Sequence, residues 1–258
     1  MFDFLHKQKS GRPIFEALGT DIHCHLIPCV DDGSTSIDET IQCLTTLGEV
    51  GFSKVIITPH FQYPRYNNKE DMILQQFERL KTYVAEHVGP NLNIELVNVA
   101  GEYRIDSIIQ QRIEENRFLH LADDYLLTEL SLHQETMGLE QQFFDLQMKG
   151  HNIILAHPER YPYFNPASKE LERFKDMGIN FQVNILSLSG FYGENCRHKA
   201  YEMIDRGWVE FLGSDMHNSL YARALRDAAH DRKLEKLLAT HTFQNSQITT
   251  GGVKHSKI

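Results

Sequence analysis

The chain has 258 residues, 41% of them hydrophobic, and its 26 basic and 35 acidic side chains give a formal net charge of −9. That length supports a sizeable core in one large α/β domain or two small ones, and an acidic balance with no basic tract excludes the usual electrostatic footprint of a nucleic-acid binder. No apolar run approaches the roughly 20 residues of a membrane span, and Met1–Lys7 lacks the basic-then-apolar order of a signal peptide, so no membrane insertion and a cytoplasmic location are expected. Short β-rich runs are predicted at Thr20–His23, Lys54–Thr58, Ile94–Ala100, Tyr125–Leu130, Ile153–Ala156, Ile179–Val183 and Val209–Gly213. They alternate with helical patterns over 36–50, 69–87, 105–115, 136–149, 167–177, 196–206 and 218–239. Ser36 followed by Glu39 has capping-box spacing, and Gly51, Gly150, Gly178 and Gly207 each follow a helical run and suit a left-handed helix end. Strand–helix alternation without a composition break argues a parallel βα fold in one domain, and the count of seven favours a barrel over an open sheet. Residues 1–18 and 244–258 read as peripheral to a core of about 20–240.

Cysteine carries little of the argument. Cys24, Cys29, Cys43 and Cys196 form no CxxC pair and too sparse a set for a disulfide framework, so buried free thiols are expected. No Arg follows Cys24 or Cys29 at the spacing of a phosphate-cradling CxxxxxR loop. Histidine is the unusual count, with 14 in the chain.

In βα folds the C-terminal ends of the strands carry the chemistry. Here those ends read Asp21-Ile22-His23-Cys24-His25 with Asp31-Asp32-Gly33 following, then Thr58-Pro59-His60, Gly101-Glu102, Thr128-Glu129, Ala156-His157-Pro158-Glu159-Arg160, Gln182-Val183-Asn184 and Gly213-Ser214-Asp215-Met216-His217. His23 and His25, at i and i+2, share one strand face roughly 6.6 Å apart along it. Either alone is as well read as a core histidine, and His60 alone is better read as structural. Glu102 and Glu129 would be costly as isolated buried carboxylates, and Arg160 reads either as a surface cation or as a clamp for an anionic oxygen. Taken together, five histidines and four carboxylates (His23, His25, His60, His157, His217, Asp31, Glu102, Glu129 and Asp215) on one rim are a dense charge problem that divalent cations solve. Their number exceeds what one tetrahedral ion accepts, so two or three metals sharing a carboxylate are expected. The mixed donor set suits Mn, Fe or Zn.

These motifs resemble the PHP (polymerase and histidinol phosphatase) superfamily, and the Asp31-Asp32-Gly33 ending in particular resembles the manganese-dependent protein-tyrosine phosphatases of bacterial capsule and exopolysaccharide loci. The resemblance runs through Thr58-Pro59-His60, Gly101-Glu102-Tyr103-Arg104, Glu129-Leu130-Ser131, His157-Pro158-Glu159-Arg160-Tyr161, Gln182-x-Asn184 and Ser214-Asp215-Met216-His217-Asn218, about residues 20–240. It implies a distorted (β/α)7 barrel with a trinuclear site. One metal would be held by His23, His25, Glu102 and Asp215, a second by Glu102, Glu129 and His157, and a third by Asp31, His60 and His217. Arg160, and Arg223 on the following helix, would bind phosphate oxygens. Cys24 and Cys29 depart from the Ser and Gly usual in the family, which leaves the geometry of the loop before Asp31 open.

The activity so implied is hydrolysis of protein phosphotyrosine by a metal-bridging hydroxide, with manganese the first choice of metal. The expected partner is the tyrosine-rich tail of a bacterial tyrosine kinase controlling polysaccharide synthesis. Phe61, Tyr63, Tyr66, Tyr161, Phe191 and Tyr192 read equally as loop packing or as a surface for a phenyl ring. Competing readings are a PHP phosphoesterase acting on a small metabolite such as histidinol phosphate, a nuclease, and a metal-dependent amidohydrolase, which shares the opening His-x-His but often uses a carboxylated lysine. No lysine stands at the C-terminal end of a predicted strand. A scaffold protein with a degraded site is disfavoured because all nine candidate ligands are present.

Overall fold

Nearly continuous burial runs along the strands of the computed structural model, which describes residues 11–89, 92–166 and 169–248. The strands are β1 (Thr20–Asp21), β2 (Lys54–Ile57), β3 (His60–Phe61), β4 (Glu95–Val99), β5 (Glu102–Arg104), β6 (Tyr125–Glu129), β7 (Asn152–Ala156), β8 (Asn180–Asn184) and β9 (Val209–Gly213). All named pairings are parallel, in a three-stranded sheet of order β1-β2-β4 and a six-stranded sheet of order β3-β5-β6-β7-β8-β9. Seven strands in one barrel were expected, whereas the described residues form nine in two sheets. The physical cause is local. Pro59 has no N–H to give a ladder and separates β2 from β3, while Ala100-Gly101 separates β4 from β5 at the same level. Gly101 leaves room for the rings of Phe61 and Tyr103, which a Cβ would approach to 2.7 and 2.6 Å. Beyond β1, Cys24 forms a single parallel bridge with Met216, flanked by bonds from Asp215 N–H to His23 C=O (2.8 Å) and from His25 N–H to Met216 C=O (2.8 Å).

Helices cover the outer faces: α1 (Ile37–Glu49), α2 (Glu70–His87), α3 (Ile109–Glu115), α4 (Leu139–Met148), α5 (Lys169–Asp176), a short α6 (Ile185–Leu188), α7 (Glu194–Asp205), α8 (Ser219–Ala228) and α9 (Arg232–Thr240). The helix predicted at 167–177 begins on two residues outside those described, as do parts of both peripheral ends. Ser36 caps α1 by accepting the Glu39 N–H at 3.2 Å. The Glu39 carboxylate turns to the Thr35 N–H (3.1 Å) instead of completing the box on Ser36. Gly51, Gly150, Gly178 and Gly207 all take positive φ, as their placement predicts. The single helix expected over 218–239 is two, because Asp231 caps a new start by accepting the Lys233 N–H at 2.8 Å. The helix expected from 105 begins at 109, because Asp106 takes the Ile108 and Tyr63 N–H groups (3.0 and 2.7 Å) in the preceding turn.

Both faces of the strands are apolar, as a parallel sheet requires. Val55, Ile57, Leu126, Ile153, Leu155, Phe181, Val183 and Leu212 pack under the helices, while Ile22, Ile56, Ala100, Leu127, Ile154, Ala156 and Phe211 form a separate inner cluster. Two residues further along the chain, the inner face turns polar: Ala100 is followed by Glu102 and Leu127 by Glu129. The strand period thus stacks a polar layer directly on an apolar floor. Among the described residues no helix is long and apolar enough to cross a membrane.

Away from that layer, His151, the residue before β7, is buried. Its Nδ1 lies 2.9 Å from His120 Nε2 and its Nε2 2.9 Å from Asn116 Oδ1. Burial, and then His120, push its pKa down to about 4. The unfolded chain takes up this proton near pH 6.5, whereas the folded one refuses it until about pH 4, so the group withdraws stability as pH falls through that window. In chelator, the unfolding midpoint should therefore drop between pH 6.5 and 4 and drop less steeply in His151→Gln. Identical slopes for the two proteins would show that His151 is not responsible.

Candidate metal centre

Glu102, the first residue of β5, is fully buried, and imidazoles from three other segments surround it. His157 Nε2 lies 3.1 Å and His23 Nε2 3.3 Å from its Oε1; His60 Nδ1 lies 2.9 Å and His25 Nε2 3.3 Å from its Oε2. Asp215 Oδ1 is 3.4 Å from His23 Nε2 and 3.3 Å from His25 Nε2, and Glu129 Oε1 is 3.1 Å from His60 Nδ1. Three overlapping groups therefore offer ligand atoms within 4.8 Å of one another: His23, His25 and Glu102; His25, His60 and His217; His60, Glu102 and Glu129. His157 and Asp215 both hold positive φ, 37° and 51°, immediately after their strands. That conformation is uncommon outside glycine and clusters at functional sites.

Further side chains orient the donors. Gln182 Oε1 is 2.7 Å from His23 Nδ1, which leaves Nε2 facing Glu102. Asp31 Oδ2 is 2.9 Å from His25 Nδ1 and also accepts the His60 N–H at 2.9 Å, while its Oδ1 accepts the Gly33 N–H at 3.0 Å. Asn184 Nδ2 and Arg160 Nη1 donate to Asp215 Oδ2 at 2.7 and 2.8 Å, leaving Oδ1 to the histidines. Arg104 Nη2 donates to Glu129 Oε2 at 3.2 Å. Such supporting bonds fix the tautomer and direction of metal ligands.

The electrostatics are those of a cation site. Burial works against charge on Glu102, yet His23 and His60 hold its carboxyl well below the usual range. Burial opposes charge on His60 as well, and Glu129 and Glu102 overcome it and raise its pKa well above the ordinary value. His217, buried beside His25 with only Asp215 to offset it, is pushed down to about 4. It offers a neutral imidazole, the form that ligates metal.

The decisive observation is what the closest atoms fail to do. His60 Nδ1 lies 2.9 Å from Glu102 Oε2 and 3.1 Å from Glu129 Oε1, all three atoms are buried, and none makes a hydrogen bond of good geometry. Buried polar atoms are normally hydrogen-bonded, and a group of three donor atoms within 4.8 Å of one another suits a shared cation. Asp32, His60, Glu129, His157, Asp215 and His217 open into one cavity of about 300 Å³.

A sequence model of the capsular polysaccharide synthesis family CpsB/CapC matches residues 19–247. The chain belongs to the CpsB/CapC family. The Staphylococcus aureus relative CapC is 30% identical over 254 residues, 92% of this chain and 97% of that one. The tyrosine-protein phosphatase YwqE of Bacillus subtilis is 28% identical over 204 residues, 77% of each. The fold is shared with a chain from the crystal structures of the metal-dependent tyrosine phosphatases YwqE and CpsB (the latter from Streptococcus pneumoniae), with a TM-score of 0.75 at 24% identity, covering 90% of this chain and 95% of that one.

Two expected site residues in this CpsB/CapC chain do not line the cavity. Asp31 turns its carboxylate oxygens to His25 Nδ1 and to the His60 and Gly33 N–H groups, while Asp32 stands on the cavity wall. Asp32 Oδ1 lies 3.4 Å from His60 Nε2 and 3.8 Å from His217 Nε2, on the cavity wall. Arg223 is exposed and does not line the cavity, because α8 turns Tyr221 toward His217 (ring centroids 5.0 Å apart) and residues two apart on a helix face opposite ways. Arg65, Arg104 and Arg160 line the cavity instead, and so does His133. Cys24 and Cys43 are buried as expected, whereas Cys29 is exposed. Cys29 adopts φ 63°, the conformation that favours the glycine usual there. Of the rim aromatics, Phe61 and Tyr161 are core residues; Tyr66 stacks on His60 (5.5 Å, 6°) and Tyr192 lies under Arg160 (4.3 Å). Gln182 and Arg104 stood in the quoted motifs without a role, and their position on the inner strand face was the available signal.

Asp31→Asn should weaken divalent-cation affinity by about 10- to 100-fold through the loss of His25 orientation, read by competition with a fluorescent chelator. Unchanged affinity would remove Asp31 from the site's support.

Proposed function

We propose that this chain is a metal-dependent tyrosine phosphatase that hydrolyses phosphotyrosine on protein substrates. The observation that carries the proposal is the set of unbonded, buried donors of His60, Glu102 and Glu129 beneath a cavity lined by arginines. The named activities of the relatives support the same chemistry. In this reading His23, His25, Glu102 and Asp215 would hold one cation, Glu102, Glu129 and His157 a second, and Asp32, His60 and His217 a third, with manganese the first candidate. When bound, such cations lower the pKa of a coordinated water and neutralise phosphoryl oxygens. The chain's own residues do the rest. Arg160, held by Asp215 and backed by the Tyr192 ring, presents its remaining N–H donors to a phosphoryl oxygen. Phe191, Tyr192 and Tyr221 form a contiguous aromatic wall, with neighbouring ring centroids 5.1 and 5.2 Å apart, which suits a phenyl ring. A phenolate leaving group needs little protonation, since tyrosine has a pKa near 10.

The two sheets, joined through the Pro59 and Gly101 breaks and the Cys24–Met216 bridge, are read here as one distorted (β/α)7 barrel. It forms a single domain with its core over about 20–240. The substrate is read as the tyrosine-rich tail of a kinase regulating capsular or exopolysaccharide synthesis, met in the cytoplasm. Glu102→Gln should lose phosphotyrosine hydrolysis and metal content together, and chelation of the wild type should abolish activity until metal is restored. Full activity in either case, measured on a phosphotyrosine peptide with metal analysis of the same sample, would refute the proposal.

A further inference from the structure

Three carboxylates that face the cavity each meet an arginine: Asp215 meets Arg160, Glu129 meets Arg104 and Asp32 meets Arg65. The three pairs differ. Arg65 is 63% exposed and 3.8 Å from Asp32, a weak contact at the mouth. Arg160 and Arg104 are only 18% and 15% exposed and belong to the cavity wall. Arg104 follows Glu102 by two residues on β5, so it stands on the same strand face one layer above. The inner face therefore reads Ala100, Glu102, Arg104 from floor to mouth: apolar, anionic, cationic. In register, Arg104 pairs with Glu129 on β6.

The guanidinium is not spent on Glu129. A bidentate fork would use two donors in the carboxylate plane. Here a single bond runs from Nη2 to Oε2, and Nε lies 3.1 Å from Oε1 without bonding. An arginine side chain is not deprotonated in proteins, so Arg104 is cationic. Its Nη1 and second Nη2 hydrogen are not used in this bond and belong to a side chain on the cavity wall.

Resting on the phosphatase reading above, we infer that Arg104 is a second phosphoryl-binding side chain, acting with Arg160 in the place expected for Arg223. The two arginines come from different strand ends and are braced by different proposed ligands, Glu129 and Asp215. Each can therefore keep one donor on its carboxylate and turn others to an anion. A tetrahedral phosphoryl group has enough oxygens to meet both guanidinium groups and the cations beneath.

The test uses protein saturated with Mn²⁺ and compares wild type, Arg104→Lys, Arg104→Met and Arg223→Ala. Three quantities are read: metal content, inorganic-phosphate affinity by calorimetry, and kcat and KM on a phosphotyrosine peptide. Arg104→Met should keep its metal yet bind phosphate about 10- to 100-fold more weakly, Arg104→Lys should lie between it and wild type, and Arg223→Ala should match wild type. Wild-type phosphate affinity in Arg104→Met overturns the inference. So does a metal deficit that saturating Mn²⁺ does not restore, since Arg104 would then serve only to brace Glu129. Absence of phosphotyrosine hydrolysis in wild type would instead sink the phosphatase reading, and the phosphate affinities would still report on Arg104.

Discussion

The structure depends on one electrostatic constraint: a fully buried glutamate, Glu102, must keep its charge in a low-dielectric interior. An isolated carboxylate there would protonate or destabilise the fold. Four imidazoles, from His23, His25, His60 and His157, lie within 3.3 Å of its two oxygens. Glu129 and Asp215 add further negative charge on the same histidines. Such a cluster is balanced by positive charge, whether protons on the imidazoles or divalent cations, and the unbonded geometry at His60, Glu102 and Glu129 favours cations.

The fold meets that constraint by layering. Parallel strands bury both faces, so each polar residue on the inner face needs a partner from a neighbouring strand end. An apolar floor of Ile56, Ala100, Leu127 and Phe211 sits beneath. Above it, period-two geometry sets the ligand types at one height, and supporting groups hold their directions: Gln182 for His23, Asp31 for His25, Arg160 with Asn184 for Asp215, and Arg104 for Glu129. The acidic composition acquires a local meaning from this. Glu102, Glu129 and Asp215 are three of the 35 acidic side chains and are buried in the site, while Asp32, exposed, stands on the cavity wall.

The histidine excess divides similarly. Five histidines converge at the strand ends, His133 lines the cavity, and half-buried His120 pairs with buried His151 away from the site. His6 and His255 lie outside the described residues. Burial rather than count separates these populations, which is why composition alone did not distinguish them.

Strand–helix alternation, the helix-ending glycines and the residues at strand ends were legible in the sequence, because periodicity and end signals are local properties of the chain. His23, His25, His60, Glu102, Glu129, His157, Asp215, His217 and Arg160 come together as their strand-end positions implied. The division into two sheets was not legible, because it follows from Pro59 and Gly101 standing at the same level on neighbouring paths. Nor was the choice between Asp31 and Asp32. Both lie in an irregular loop without a period, and only the positions of His25, His60 and Gly33 decide which carboxylate is consumed by hydrogen bonds. The loss of Arg223 and the placement of Arg104 have the same origin: helix phase and strand register decide which arginine reaches the cavity. The sequence by itself determined which chemistry the strand ends carry. Tertiary structure alone decided which of two adjacent candidates faces the cavity, because that depends on the folded path of the loop, on strand register and on helix phase.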